Sequence, residues 1–333
     1  MRAEQPLAGG EQAALAERVA AEGVLSLVRY AILAPSVYNS QPWRFAIGES
    51  EVRLFVDRSR WLRVADTDQR ELYLSVGCAL ENLLIAAEHA GLAPRVSYLP
   101  DAASPDLAAL VALAPGGSPS PKRPPALLAA IPMRETNRLA YEPRPIPRED
   151  LARLQAFGSE DGVETLVSAD PDLRYRVAVL VARGDLSRYA DPAYRRERGR
   201  WIGRGAFGDT WLGARIGQLV VTAFDLGERY ARRDSQLVLG APALAIVHSA
   251  GNDRAWQVRA GQALERVWLG AAALGISVQP LSQPLQIPAL KAELATLLPR
   301  GAGTPQQLLR LGYAAPERRH TPRRALSDVL GGG

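Results

Sequence analysis

Cysteine is almost absent from this chain. Cys78 is the single thiol among 333 residues, so no disulfide framework and no CxxC pair can form within it. Histidine is nearly as scarce: His89, His248 and His320 stand far apart, no His/Cys cluster has metal-ligand spacing, and no metal site is expected. Of the 40 basic residues only Lys122 and Lys291 are lysine, which leaves 38 arginines. That skew reads as coding bias. The runs Arg195 to Arg200 and 317 to 324 lack interleaved aromatics, and a net charge of +5 spread over the chain is a weak electrostatic footprint. No nucleic-acid partner is expected. Long apolar runs are missing too: the longest uncharged stretch, Val267 to Leu290, is broken by Pro280, Pro284 and Pro288 and carries three glutamines, so it cannot span a bilayer. The first 23 residues hold alanines and acids where a signal peptide needs a basic start and an unbroken apolar run, so a cytoplasmic location without a membrane partner is expected. GxSxG, Walker and HExxH motifs are also missing, which removes support for hydrolase and nucleotide-triphosphatase readings.

What is present is core. With 47% hydrophobic residues the chain can bury a large interior. After a lead-in over 1–23, an apolar helix through Leu25, Val28 and Ile32 stops at Pro35, and Arg44 to Asp57 alternates like a hairpin around Gly48-Glu49-Ser50. Asp68 with Glu71 resembles a capping box that opens a strong helix ending at Gly91. The stretch from Pro115 to Pro125 (PGGSPSPKRPP) reads as a linker. Beyond it the pattern predicts helices near 148–157 and 171–187, strands at 163–167, 241–248 and 307–313, and a mostly apolar helix over 259–274.

The two strongest helices repeat one another. Gly77-Cys-Ala-Leu-Glu81, Ala87 and Gly91 line up with Gly261-Gln-Ala-Leu-Glu265, Ala271 and Gly275 at a constant offset of 184 residues. The offset predicts two structural halves, 24–125 and 126–330, facing each other across a pseudo-twofold as two subunits of a homodimer do.

Three motifs carry chemistry. Gly203-x-Gly205-x-x-Gly208 follows RRERGRWI rather than a hydrophobic strand, so it reads as loop flexibility and not as a dinucleotide fingerprint. The loop Ala34 to Trp43 (APSVYNSQPW) packs two prolines, hydroxyls and amides between a helix and a hairpin, giving a rigid polar loop. In Met133-Arg134-Glu135-Thr136-Asn137-Arg138, two arginines four apart on a short helix or turn would face one way, with the Thr136 hydroxyl as a further donor, a set suited to phosphate.

The last two motifs resemble the nitroreductase superfamily of FMN-dependent oxidoreductases, in particular its tandem single-chain Acg-like branch. RETNR resembles the family's R-x-S/T-x-K/R signature, APSVYNSQPW its A-P-S-x-x-N-x-Q-P-W loop, Gly261 to Gly275 its dimer-core helix, and Thr321-Pro-Arg-Arg its basic tail. The resemblance implies an α+β fold of two tandem halves forming a single-chain pseudo-dimer around a mixed sheet. Family sites draw on both subunits, and here each motif occurs in one half only, which implies one FMN site in a monomer. Carried over residue by residue, Arg134 and Thr136 would meet the FMN phosphate and ribityl end with Arg323 or Arg324. Arg138 would lie near the pyrimidine edge of the ring, while Pro35, Ser36, Asn39 and Gln41 approach from the first half. Pro280, Ser282 and Gln283 stand where the family commonly has a proline followed by Glu-Gly.

The implied activity is hydride transfer from NAD(P)H through FMN to an electron-poor nitro compound, quinone or similar acceptor, with the flavin and no side chain carrying the chemistry. The alternatives are a flavin-storing protein with little turnover, or a specialised dehydrogenase or oxidase of a biosynthetic intermediate. An insert over 191–233, with Trp201, Phe207 and Trp211, would act as a lid in the storage reading.

Overall fold

The chain builds the same four-stranded sheet twice. In the computed structural model, which describes residues 22–317 and 321–331, the first half runs α1 (Leu25–Ala31), β1 (Trp43–Ile47), β2 (Glu51–Val56), α2 (Arg70–His89), β3 (Leu92–Tyr98) and β4 (Leu107–Pro115). The second runs α3 (Pro125–Ala130), α4 (Arg148–Phe157), β5 (Val163–Ser168), α5 (Pro171–Ala190), α6 (Pro192–Gly203), α7 (Trp211–Ala223), α8 (Gly227–Leu239), β6 (Ala243–Ser249), α9 (Arg254–Ala273), β7 (Ser277–Pro280), α10 (Pro288–Ala295), β8 (Thr304–Gly312) and α11 (Leu326–Val329). Almost all of the expected lead-in, and His320, lie outside the described residues.

The sheet orders are β1-β2-β4-β3 and β5-β6-β8-β7, and every pairing within them is antiparallel. Each second–fourth strand pair carries a register shift, at Leu54/Phe55 in one half and Val247/His248 in the other. The expected mixed sheet is therefore two antiparallel sheets, and the parallel component is a single bridge where Leu330 of the carboxy-terminal tail meets Phe45 on β1. Through that tail the second half reaches across to the first.

Between the sheets lie α2 and α9, the two helices of the repeat. All twenty residues of α2 are buried, as befits a helix covered on every side. The contact of α2 with α9 obeys the 184-residue offset atom by atom. A Cβ on Gly77 would lie 2.0 Å from the Val258 carbonyl oxygen and 2.9 Å from Gly261 Cα; one on Gly261 would lie 2.2 Å from the Leu74 carbonyl oxygen and 2.9 Å from Gly77 Cα. Leu74 and Val258 are themselves 184 apart, so the two helices cross backbone to backbone on the pseudo-twofold, and only glycine fits there. Gly91 and Gly275 end the two helices in the left-handed region, at φ 79° and 68°.

Two local expectations need correction. The amino terminus of α2 is capped by Asp66, whose carboxylate accepts from the Glu71 and Leu72 amides at 2.9 Å, while the Glu71 side chain is buried against Arg70 and Gln286. No Asp68/Glu71 capping box forms, because Glu71 is drawn inward. The expected linker is also tied down. Arg123 grips Glu81 and Glu88 with hydrogen bonds of 2.5 to 3.0 Å, and the Ser120 amide donates to Glu88.

The arginine-rich passage before Arg233 folds into α6, α7 and the start of α8, an insert between α5 and β6. Its own small core joins Tyr189, Tyr194, Trp201 and Val221 to Leu62 and Ala65 of the first half. On its outer side α7 exposes Trp211, Leu212, Ile216 and Leu219. No helix among the described residues is long and apolar enough to cross a membrane.

Candidate cofactor site

A cavity of about 210 Å³ opens beside the crossing of α2 and α9, and both halves wall it. Leu74, Ser75 and Cys78 come from α2, and Leu264 and Trp268 from α9. Burial in this wall pushes the Cys78 thiol well up, which keeps it an unreactive apolar filler.

The loop after α1 brings Pro35, Ser36 and Asn39 to the cavity. Tyr38, Asn39 and Gln41 all have φ near +50°, three left-handed residues of which only asparagine takes that conformation readily. The carboxy-terminal tail holds the loop in place. Asn39 and Gln41 donate from their side-chain amides to the Pro322 carbonyl at 2.8 and 3.2 Å, the Arg324 amide donates to Gln41 Oε1 at 2.8 Å, and the Ser36 hydroxyl accepts from the Gln41 amide at 2.9 Å.

Thus two of the expected contacts have another task. Gln41 is 4% exposed and does not line the cavity, because its side chain is spent on the tail. Arg324 is likewise turned away: its guanidinium donates to the Gln41 and Trp43 carbonyls and to Asp57, and also to the Asp328 carbonyl. Of the two tail arginines, Arg323 is the one that faces the cavity.

Arg134, Thr136 and Arg138 line the cavity together, although not on a helix. The segment after α3 is irregular and extended, so alternate residues share a side. The intervening Glu135 and Asn137 fasten it: the Glu135 carboxylate accepts from the Glu317 amide at 2.7 Å, its carbonyl accepts from the Trp268 indole, and Asn137 donates to the Ala315 carbonyl.

Positive charge exceeds negative charge here among the described residues. Arg134 and Arg323 both donate to the Leu33 carbonyl, at 3.4 and 3.0 Å, so the two guanidiniums converge. Arg134 Nε and Nη1 and Arg323 Nε are buried with no hydrogen-bond partner among the described residues. The near carboxylate, Glu265, stands 3.8 Å from Arg134 Nε, too far for a hydrogen bond, and burial pushes its own pKa up to about 7 despite Arg134. Burial and the neighbouring Arg134 bring Arg323 down to about 10. Two crowded, under-coordinated guanidiniums call for an anion.

At the other end Pro280, Ser282 and Gln283 line the cavity from β7 and the following turn. Opposite them stands a constellation that the sequence motifs do not announce. Three helices each present an i,i+4 pair: Asp185 and Tyr189 from α5, Tyr194 and Arg198 from α6, Tyr230 and Asp234 from α8. That spacing was the available signal. The Tyr38 and Tyr194 hydroxyls are 2.8 Å apart, Tyr189 stacks on Tyr230 with centroids 4.6 Å apart, and Arg198 sits 5.3 to 5.8 Å from the ring centres of Tyr38, Tyr189, Tyr230 and Phe207. Of the expected lid aromatics, Phe207 lines the cavity, Trp201 is buried in the insert's own core, and Trp211 is 74% exposed. Gly205 and Gly208 turn the loop between α6 and α7 at φ 73° and 77°, in the conformational role expected of them.

The pseudo-twofold mate of this cavity is filled. The mates of Leu74, Ser75 and Cys78 are Val258, Arg259 and Gln262, and those of Leu264 and Trp268 are Leu80 and Leu84. Gln262 accepts from the Tyr98 hydroxyl and donates to Glu81, Arg259 binds the Asp161 carbonyl and lies 3.7 Å from Glu160, and both leucines are in the core. Burial alone would raise the Glu81 carboxyl, but Arg123 and Arg266 hold it down to about 2. One half-site has become an open cavity and the other a closed ion-pair network.

The chain is thus an α+β pseudo-dimer with an arginine-rich, aromatic-rimmed cavity between its halves. Comparison with known proteins then identifies the lineage. A Mycobacterium tuberculosis (strain H37Rv) protein that carries the provisional name NAD(P)H nitroreductase Rv3131 is 32% identical over 320 residues, covering 93% of this chain and 91% of that one. A second from the same strain, provisionally the NAD(P)H nitroreductase acg, is 31% identical over 329 residues, covering 94% and 96%. Among solved structures, the FMN- and NADPH-dependent nitroreductase NfnB from Sphigopyxis sp. strain HMH is 20% identical with a TM-score of 0.42, over 62% of this chain and 98% of that one. No family model matches the sequence. The chain belongs to the nitroreductase family, in its Acg-like branch.

Proposed function

We propose that this chain is an FMN-dependent oxidoreductase that passes hydride from NAD(P)H to an electron-poor small molecule such as a quinone or nitro compound. The observation that carries the reading is the convergence of Arg134 and Arg323 on one carbonyl with three buried N–H groups left without partners. A phosphate supplies what they lack. The residues fit FMN: Arg134, Arg323 and Thr136 would take the phosphate and ribityl end, with Ser36 and Asn39 from the first half. Arg138, 5.8 Å from the Phe207 ring, would offer its positive charge to the ring end. FMN, when bound, would supply the hydride chemistry. The protein's part is to position the ring between the halves, to exclude water with the tyrosine-lined insert, and to place Arg138 and Arg198 where negative charge develops. Because both walls belong to one chain and the mate site is closed, the reading assigns one FMN to each monomer.

The test compares FMN with riboflavin. Losing charge-assisted hydrogen bonds to phosphate costs about 1.5 to 3 kcal/mol, or roughly 10- to 150-fold in affinity. Arg134→Ala should weaken FMN by that factor and riboflavin far less, as read by fluorescence quenching; equal losses would reject the phosphate assignment.

The insert supports the storage alternative as a second reading: Phe207, Tyr194 and Arg198 enter the cavity from it, where they would crowd a donor or acceptor stacking on the ring. If the insert restrains turnover, shortening it between about Tyr194 and Ala214 should speed anaerobic flavin bleaching by NAD(P)H. Rapid ping-pong turnover by the intact chain would favour the open reductase.

A further inference from the structure

The cavity holds two carboxyls that the reading above leaves without a task. Asp185 on α5 and Asp234 on α8 are 2% and 7% exposed, and among the described residues neither has an ion-pair partner within 4 Å. Gln283 Nε2 donates to Asp234 Oδ2 at 3.1 Å, and Asp185, Gln283 and Asp234 line the cavity together. Gly184 allows this approach, since a Cβ there would stand 2.7 Å from Gln283 Cβ. Asp185 Oδ2 and Gln283 Oε1 are buried without partners.

Two buried carboxyls lining one cavity repel one another when both are ionised, so the pair keeps a proton. The groups around it do not change that outcome. Arg188 of α5 is committed to the carbonyls of Val64, Ala65 and Gln286, and Arg310 of β8 to Gln279 and the Leu139 carbonyl. Arg198 of α6 lies among the rings of Tyr38, Tyr189 and Tyr230, while Tyr194 bonds Tyr38. The attraction of Arg198 and Arg233 is outweighed by burial and by Asp234, which push Asp185 up to about 8; burial raises Asp234 as well.

We propose that Asp185 donates the proton that joins the acceptor as it is reduced, with Gln283 and Asp234 positioning its carboxyl. The proposal rests on the oxidoreductase reading and names the acceptor class more closely: a quinone whose carbonyl oxygen can lie against Asp185. For a quinone the sum is two electrons and two protons. Hydride, ultimately from NAD(P)H, brings both electrons and one proton. As the acceptor's new O–H bond forms, the Asp185 O–H bond breaks, and the carboxylate left behind is reprotonated from solvent.

Infrared spectroscopy on the apoprotein tests the proton directly. The difference spectrum between the parent and Asp185→Asn should show a protonated-carboxyl band at pH 6 that fades with a midpoint near 8, while the protons held by Asp66 and Glu265 cancel. Asp234→Asn removes the like charge and should move the midpoint down. In the FMN-loaded protein, Asp185→Asn should slow anaerobic reoxidation by a quinone at least ~10-fold while FMN affinity and reduction by NADH hold. Absence of the band at pH 6, or reoxidation within twofold of the parent, overturns the proposal. If Asp185→Asn does not fold, an unmoved midpoint in Asp234→Asn overturns it instead. Failure to bind FMN would reject the cofactor reading, whereas the apoprotein band stays readable and judges Asp185 separately.

Discussion

Replacing Gly77 with alanine tests the pseudo-twofold at its narrowest point. In an ordinary helix interior the change stabilises by roughly 0.5 to 1 kcal/mol, because alanine loses less backbone freedom on folding. Here the new methyl carbon would stand 2.0 Å from the Val258 carbonyl oxygen and 2.9 Å from Gly261 Cα. Both obstacles are backbone, so no rotamer change can relieve them and the helices must part. Overpacking of this kind costs about 1 to 3 kcal/mol and occasionally more. With rigid obstacles on two sides the upper end applies, which leaves a net loss of about 2 kcal/mol and a fall in Tm of about 3 °C. Gly261→Ala should behave alike, since its contacts are the mirror set. Once one methyl has separated the helices the second is cheaper, so the double variant should lose less than the sum of the two singles. FMN affinity should fall with stability, because Leu74, Cys78, Leu264 and Trp268 wall the cavity from these same helices. Gly91→Ala serves as control, with open space around it and a cost arising only from its positive φ. Calorimetry of the four variants decides the matter; a stabilised Gly77→Ala would refute the backbone-to-backbone crossing.

Two further predictions concern charge. Burial and Glu71 raise Asp66 to about 7, burial raises Glu265 to about 7, and burial with Asp234 raises Asp185 to about 8. Between their ordinary values near 4 and these raised ones, the folded chain keeps protons that the unfolded chain has lost, so stability falls as pH rises from about 4 to 8, by up to ~1.4 kcal/mol per pH unit for each group while it titrates. Glu81, held down to about 2, works the other way only below about pH 4.5. The apoprotein Tm should accordingly be higher at pH 5.5 than at pH 8, and the reverse order would contradict these assignments. Arg324→Ala should cost about 2 to 3 kcal/mol in thermal unfolding through lost charge-assisted bonds to Asp57 and the loop, and should weaken FMN only indirectly, through loosening of Asn39. A loss of phosphate selectivity equal to that of Arg134→Ala would instead place Arg324 at the ligand.

The helices and strands that were readable in the sequence are those whose pattern is local. The 184-residue offset announced the crossing of α2 and α9 because helix-core glycines and cap glycines are demanded by backbone geometry rather than by distant neighbours. Pro35, Ser36, Asn39, Arg134, Thr136 and Arg138, which line part of the cavity, came from two compact motifs through their resemblance to the family. What stayed hidden depends on three-dimensional partners. Gln41 and Arg324 have the residue types of ligand contacts, yet strain in the Tyr38–Gln41 backbone needs them as braces. Asp66 displaced the expected capping box because Glu71 found Gln286, 215 residues away, and no local pattern reports such a partner. Asp185, Tyr194 and Asp234 lie in an arginine-rich stretch whose periodicity is masked by exposed charge, and only their shared i,i+4 spacing hints that three helices aim at one point.

Glu81 and Glu265 show how a duplicated framework acquires a single site. They occupy equivalent positions on α2 and α9, and both are fully buried. Glu81 has Arg123 and Arg266 within hydrogen-bond range, with Gln262 completing its shell, so that side of the helix pair is neutralised and closed. Glu265 has Arg134 at 3.8 Å, and Arg134 shares a carbonyl with Arg323. There the cations exceed the anions and the polar atoms exceed their partners. In a true homodimer both sides would have to carry the same residues. Fusing the halves removes that constraint: one side is free to satisfy itself and stabilise the core, while the other retains unsatisfied charge, which the proposed phosphate-bearing ligand would answer. The insert follows the same asymmetry, since it is present in the second half alone and covers the side that is left open.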